Sequence, residues 1–160
     1  MQQVIYLAGG CLWGVQEYIK YLPGVITTTA GRANGRTQTT QGDYDGYAEC
    51  VEVTFDATKL SLNQLFEAFF EIIDPYSINQ QGQDRGLKYR TGIYSRDEMH
   101  LTAAKQYIMR CDDSEKIAVE VMALTRFVAS DDEHQHRLTR HPEDHYLCHI
   151  PWNLLHKYKR

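Results

Sequence analysis

Apolar runs and helical stripes alternate along the first hundred residues of this chain. Val4 to Leu7 is apolar and partly β-branched and leads into Gly9-Gly10, which predicts a buried strand closed by a tight turn. From Cys11 the spacing changes: Leu12, Val15, Ile19 and Leu22 fall on one helical stripe, and Pro23-Gly24 stops it. Val25 to Ala30 is Thr-rich and strand-like, and Gly31 to Gly46 reads as a long polar loop with four glycines. Ala48 to Phe55 is the strongest strand signal, with Val51, Val53 and Phe55 on one face and Cys50, Glu52 and Thr54 on the other. Ser61 with Gln64 forms a capping box ahead of the stripe Leu62, Leu65, Phe66, Phe69 and Ile73, which Asp74-Pro75 ends.

A polar segment without evident structure then runs to Tyr89, followed by a strand over Thr91 to Tyr94. The order βαββαβ predicts an α+β fold, a ferredoxin-like two-layer sandwich with two helices on one face of a mainly antiparallel sheet. A C-terminal extension follows. Ser95 with Glu98 predicts a helix to about Arg110, Ile117 to Leu124 a further strand, and Ser130 with Glu133 a short polar helix. His141 to Pro151 reads as irregular, and Trp152 to Tyr158 as one or two last helical turns. With no repeat or linker in the pattern, residues 1–160 are expected to form one domain, and a monomer is expected.

Composition acts here by exclusion. A net charge of -4 without clustered Lys and Arg gives nucleic acid nothing to bind; Lys157 to Arg160 is a short solvated tail. Met1-Gln2-Gln3 carries no basic side chain and the apolar run after it ends at Ala8, so neither a signal peptide nor a membrane span is expected, and the protein is placed in the cytoplasm. The four cysteines, at 11, 50, 111 and 148, form no Cys-x-x-Cys pair, which argues against a zinc ribbon or a disulfide scaffold. Histidines crowd the last quarter, but only His145, Cys148 and His149 have ligand-like spacing and no second pair completes a site. No metal is expected, and these histidines read as solvated loop residues.

Cys11 is the sharpest candidate for chemistry. It follows a strand and two glycines and opens a helix, where unpaired N–H groups favour an anion, so a lowered thiol pKa and a nucleophilic thiolate are expected. Trp13 beside it reads either as core or as the wall of an apolar pocket that holds a methyl or thioether group. Glu49 shares the parity of Val51, Val53 and Phe55, so it reads either as a carboxyl on the apolar face, where desolvation favours the protonated acid and proton donation, or as a strand-edge residue reaching water. The loop Gln80 to Tyr89 is a common kind of place for binding residues, and Cys148 lies in a loop that would let its thiol move. Cys50 and Cys111 read as ordinary buried or surface cysteines.

These residues also stand in a recognisable order. Gly10-Cys11-Leu12-Trp13-Gly14 resembles the Gly-Cys-Phe-Trp-Gly signature of the type A peptide methionine sulfoxide reductases. Gly46-Tyr47-Ala48-Glu49 resembles the Gly-His-Ala-Glu motif of that family, and Asp84 to Thr91 its Asp-x-Gly-x-x-Tyr-Arg-Ser segment. His134-Gln135 and Cys148-His149-Ile150 resemble its C-terminal stretches. The resemblance implies thiol-dependent reduction of methionine S-sulfoxide, peptide-bound or free, with Cys11 as nucleophile and Glu49 as acid. Asp84 and Tyr89 would orient the substrate and Trp13 would hold its methyl group. A Cys11 sulfenic acid would condense with Cys148 to a disulfide that thioredoxin, or dithiothreitol in vitro, reduces, with no bound cofactor. The chain departs from the pattern in places: Leu12 stands for Phe in the methyl pocket, Tyr47 stands for His, and Tyr146-Leu147 stands for the Gly-Tyr pair before Cys148, while Tyr44 is the candidate for the second active-site tyrosine. Two other classes fit parts of the pattern. One is a Cys-His hydrolase that uses a late histidine, and the other is a catalytically weak peptide-binding member of the same fold.

Overall fold

The computed structural model of the chain describes residues 1–35 and 46–159, with 145–147 described by backbone only. The elements in order are β1 (Gln2–Gly9), α1 (Leu12–Ile19), β2 (Val25–Ala33), β3 (Ala48–Asp56), α2 (Leu62–Glu71), β4 (Gln80–Gln81) and β5 (Asp84–Arg85). They continue with β6 (Thr91–Ser95), α3 (Glu98–Met109), β7 (Glu120–Ala123), β8 (Phe127–Ala129), α4 (Arg137–Arg140) and α5 (Trp152–Leu155). Six strands form one sheet in the order β7-β6-β1-β3-β2-β8. Its inner four, β6-β1-β3-β2, are antiparallel throughout and carry the ferredoxin-like order expected of βαββαβ. β7 adds in parallel to β6, a pairing that needs a crossover connection, and α3 supplies it. β8, which the sequence pattern does not predict, closes the other edge against β2.

The core follows from the alternation. Ile5 and Leu7 lie opposite Val53 and Val51, and this face of the sheet packs on the stripes of α1 and α2 through Leu12, Val15, Ile19, Leu65, Phe66 and Phe69. The opposite face is not the polar one that the alternation predicts. Cys50 is fully buried there in a second cluster with Tyr6, Ala8, Ala48 and Tyr94, and Glu52 accepts a hydrogen bond from Tyr6 Oη at 2.9 Å. Phe127 of β8 packs onto that cluster, which explains why small and aromatic side chains lie under an apparently polar strand face.

Several predicted boundaries shift for local reasons. The Ser61 capping box forms as expected, with Gln64 N–H donating to Ser61 Oγ at 3.1 Å and Ser61 N–H donating to Gln64 Oε1 at 2.9 Å. Ser95 does not cap α3: it is still paired in β6, so Asp97 takes the place and accepts from Met99 N–H at 2.9 Å. The strand predicted over Ile117 to Leu124 is only β7, because pairing with β6 begins at Glu120 opposite Gly92. The Ser130 helix is a single 3-10 turn over Asp132–His134 without a side-chain cap, and left-handed His136 separates it from α4. His141 to Pro151 is more regular than predicted, with a 3-10 stretch over Pro142–Leu147.

The segment before Tyr89 is also ordered. β4 and β5 form a hairpin, and Leu87–Tyr89 a 3-10 turn. Buried Gln81 fixes the hairpin to the end of α2: its amide accepts from Asp74 N–H at 2.8 Å and donates to Asp74 C=O at 2.9 Å. The hairpin lies against the turn that leads into α1. Gly10 has a φ of 90°, and a β-carbon there would fall 2.7 Å from Cβ of Gln81. Among the described residues no helix is long and apolar enough to cross a membrane.

Ser61→Ala removes one half of the capping box and should lower stability by about 1 kcal/mol, read as a reduced urea midpoint with an unchanged m-value. An unchanged midpoint would mean that the box adds nothing to α2.

Candidate active site

Cys11 is the N-cap of α1, placed there by the sharp turn at Gly10. The first free N–H groups of a helix can each hold an acceptor, and here a carboxylate takes one of them. Leu12 N–H donates to Glu49 Oε1 at 3.1 Å, whereas the Cys11 side chain makes no capping hydrogen bond, although the nearby Trp13 N–H favours its thiolate. Glu49 reaches this point from β3, on the face expected from its parity, and it is buried.

The surroundings of Cys11 correct the expectation for its thiol. Its thiol pKa is raised, not lowered: burial is the largest cause, the Glu49 carboxylate the next and Cys148 the third. The Trp13 N–H acts in the opposite direction but does not prevail. A helix terminus makes a thiol acidic when its field is not spent elsewhere, and here a carboxylate already sits in it.

The two groups share a cavity of about 310 Å³ with Leu12, Trp13, Asp84 and Tyr89, and with Lys88 and His134. That volume is at the small end of ligand pockets, which run roughly 300–1,000 Å³, and fits one side chain better than an extended ligand. Asp84 comes from β5 and Tyr89 from the 3-10 turn after it. Burial raises the Asp84 pKa, and His149 and Lys88 work against that rise. Arg90 clips this wall to the rest of the site: it donates to Leu87 C=O at 3.0 Å, to Gly46 C=O just ahead of β3 at 2.9 Å, and to Glu120 of β7 at 3.0 Å.

Trp13 is held from the C-terminal side. Its Nε1–H donates to His134 Nδ1 at 3.2 Å, which puts the His134 proton on Nε2, and the Arg137 guanidinium lies 5.1 Å from the indole centre. Gln135 fixes the segment that carries His134. Its amide pairs with Ala30 like a missing strand residue, donating to Ala30 C=O at 2.8 Å and accepting from Ala30 N–H at 2.9 Å. His134 and Lys88 are the cavity residues that the sequence reading missed. For His134 the signal was the His134-Gln135 motif; for Lys88 it was only its place in the Gln80 to Tyr89 loop.

The remaining candidates divide. Tyr47 lies outside the cavity lining: it is fully buried, its ring covers the bare backbone of Gly35, and its hydroxyl has no hydrogen-bond partner among the described residues. The position expected to bind substrate is therefore a buried support at the approach to β3. Tyr44 lies outside the described residues. Cys148 packs on α1, where its Sγ accepts from Ile150 N–H at 3.3 Å, and burial pushes its thiol up to about 11. Cys50 occupies the opposite face of β3 from Glu49, in the second cluster. Cys111 ends up beside α3 on Tyr107 C=O.

The late histidines are not all solvated. His149 bonds Ile72 C=O at 2.8 Å and its pKa is lowered by burial, His136 meets Lys20 at 3.2 Å, and His156 meets Glu17 at 3.4 Å. Among the described residues, no three His, Cys, Asp or Glu side chains converge in a way that could hold a metal ion. Of the described histidines His134 lines the cavity, and its Nδ1 is engaged with Trp13 rather than with Cys11.

Comparison with known proteins bears on the family and the fold. A family model described as peptide methionine sulfoxide reductase matches residues 3–159. The reduced form of Mxr1 from Saccharomyces cerevisiae is similar with a TM-score of 0.80 and 26% identity, over 89% of this chain and 87% of that one. Methionine sulfoxide reductase A of Corynebacterium diphtheriae gives 0.80 and 26%, over 88% and 76%. Mxr1 of Saccharomyces cerevisiae in complex with Trx2 shares the fold, at 0.62 and 21% identity over 85% and 84%.

The Glu49 carboxylate is one of the causes that hold the Cys11 thiol up, so Glu49→Gln should lower that pKa and raise the thiolate fraction at neutral pH. Iodoacetamide should then alkylate the Cys11 peptide several-fold faster than in the unmodified protein, as read by mass spectrometry. An equal or slower rate would show that the carboxylate does not govern the thiol.

Proposed function

Because the chain belongs to the peptide methionine sulfoxide reductase family, we propose that this cavity reduces methionine S-sulfoxide, free or within a peptide, with Cys11 as nucleophile and Glu49 as proton carrier. It is a sulfoxide reductase of type A, as its likeness to methionine sulfoxide reductase A and to Mxr1 indicates. One observation carries the assignment of roles. The Glu49 carboxyl, anchored on the Leu12 N–H at 3.1 Å, and the Cys11 thiol line the same small cavity beside the Trp13 indole.

The chemistry follows from those positions. The methyl group of the substrate rests against Trp13 and Leu12, and Asp84 and Tyr89 orient its polar atoms. Glu49 takes the Cys11 proton and delivers a proton to the sulfoxide oxygen as the thiolate attacks sulfur. The oxygen passes to Cys11 as a sulfenic acid and methionine leaves, so sulfur of the substrate gains the two electrons that Cys11 loses. The raised thiol pKa suits this order, because the nucleophile forms only when its proton has somewhere to go.

Recycling requires a second thiol. Cys148 packs on the helix that Cys11 opens, whereas the sheet itself separates Cys50 from the cavity, so Cys148 is the partner that condenses with the sulfenic acid and releases water. Thioredoxin then reduces the disulfide, a reading supported by the Mxr1 complex with Trx2, and dithiothreitol can replace it in vitro. Thiol exchange accounts for both electrons without a bound cofactor. The reaction suits the reducing cytoplasm and a monomer.

The test incubates the protein with each epimer of a methionine sulfoxide peptide and dithiothreitol. Only the S form should be reduced, Cys11→Ser should be inactive, and Glu49→Gln should slow the first step about a hundredfold or more. Reduction of the R form alone, or a Glu49→Gln rate within roughly threefold of the parent, would overturn the assignment. Cys148→Ser should release one methionine per protein in a single burst yet lose turnover with thioredoxin. If that turnover persists in Cys148→Ser and falls in Cys50→Ser, Cys50 is the recycling thiol.

A further inference from the structure

We infer that Gly14 is a positioning residue for recycling: the side chain it lacks leaves the seat on which the Cys148 thiol waits, one turn of α1 from Cys11. The inference rests on the reading of Cys148 as the recycling cysteine and adds where, and by what means, that thiol is held.

Gly14 lies inside α1 and is buried, where glycine is a poor choice because it leaves the helix with more conformational freedom to lose and no side chain to pack. Its backbone does not call for glycine, since it is absent from the positive-φ residues, which include Gly10 at 90° and Gly82 at 59°. The need comes from space. A β-carbon at Gly14 would overlap the Cys148 Sγ, and it would also come within 3.1 Å of Ile150 Cδ1 and 3.5 Å of Cys148 Cβ. The Cys148 sulfur therefore occupies the volume that any other residue at 14 would fill.

The segment that carries the thiol is pinned on the far side of it. Ile150 is buried in the main core and its N–H donates to Cys148 Sγ at 3.3 Å. His149 bonds Ile72 C=O at 2.8 Å and lies over Gly10 and Gly82, where added β-carbons would come within 3.1 Å and 2.8 Å of it. Three glycines thus form the floor under Cys148 and His149, and only at Gly14 is glycine required by that contact alone.

The seat also sets the distance. Cys11 precedes Gly14 by three positions at the start of α1, so the sulfur that fills the place of a residue-14 side chain lies within about one turn of Cys11, close enough to act on its thiol, and both cysteines are free. A thiol seated at the position of the missing residue-14 side chain is thus a short slide from Cys11, near but not bonded. When Cys11 becomes a sulfenic acid, the Cys148 sulfur attacks the Cys11 sulfur, the S–O bond breaks, and the hydroxyl leaves as water with the Cys148 proton.

Gly14→Ala in the full-length protein tests this. After one equivalent of the S-sulfoxide peptide, rapid quenching with an alkylating agent and mass spectrometry follow the Cys11–Cys148 disulfide. Its formation, and turnover with thioredoxin, should fall at least tenfold further than the methionine burst does. Disulfide formation at the parent rate, relative to the burst, would overturn the inference. Thermal midpoints give a second readout that does not need turnover. Gly14→Ala should lower the midpoint when Cys148 is present and raise it in a Cys148→Ala background, where the overlap with sulfur is gone and alanine favours the helix. An equal loss in both backgrounds would show that residue 14 does not seat this thiol. Persistent thioredoxin turnover in Cys148→Ser would instead remove the recycling assignment, and the melting comparison would still decide the seat.

Discussion

The hydrogen bond from Leu12 N–H to the Glu49 carboxylate is the contact around which the rest of the site is organised. A helix N-terminus offers a few unpaired donors and a positive field, and a buried carboxylate needs both. Joining them locks β3 to the start of α1 and puts an acid and a thiol into one small space. It also adds to the effect of burial on the thiol. Burial first, and the Glu49 carboxylate second, hold the Cys11 pKa up.

The remaining walls come from segments far apart in sequence, and each is held by a side chain that imitates backbone. Gln81 pairs with both backbone groups of Asp74 and thereby fixes the hairpin behind Asp84. Gln135 does the same to Ala30 and fixes the turn that brings His134 to Trp13. Arg90 joins the turn at Tyr89 to the approach of β3. These links use amide and guanidinium groups because the partners are loops and strand edges, whose unpaired backbone groups must be satisfied where water is excluded.

The C-terminal third is attached to α1 by a polar seam. Gln16 donates to Thr28 and accepts from His136 N–H at 2.8 Å, and buried Glu17 meets Lys20 at 2.9 Å, His156 and Thr139. A short helix with two fully buried polar residues would be a liability alone, since each unpaired group would lose its hydration without compensation. Here those residues anchor the stretches before and after the one that carries Cys148, at His136, Thr139 and His156. Among the described residues the thiol itself is held by the Ile150 N–H and by packing on glycine, the arrangement expected of a group that must change partners.

Much of this architecture was legible in the sequence because it is local or periodic. The alternation in β3, the stripes of α1 and α2, the Ser61 capping box and the order βαββαβ each follow from side-chain spacing, and together they imply the antiparallel core. Cys11, Trp13 and Glu49 could be named from a turn, a helix start and a strand face, and Asp84 and Tyr89 only from the family motif they resemble, and all five line one cavity. Other features depended on contacts that no local pattern encodes. β8 comes from pairing with distant β2, the burial of Cys50 from packing with Tyr6, Tyr94 and Phe127, the seating of the hairpin from the bonds of Gln81 to Asp74, and the support given by Tyr47 from the bare backbone of Gly35. The acidity of Cys11 shows the division most plainly. Its place at a helix start was readable and argued for a thiolate, but a field can be shared, and only the folded chain decided that Glu49 takes the donor and that burial keeps the proton on sulfur.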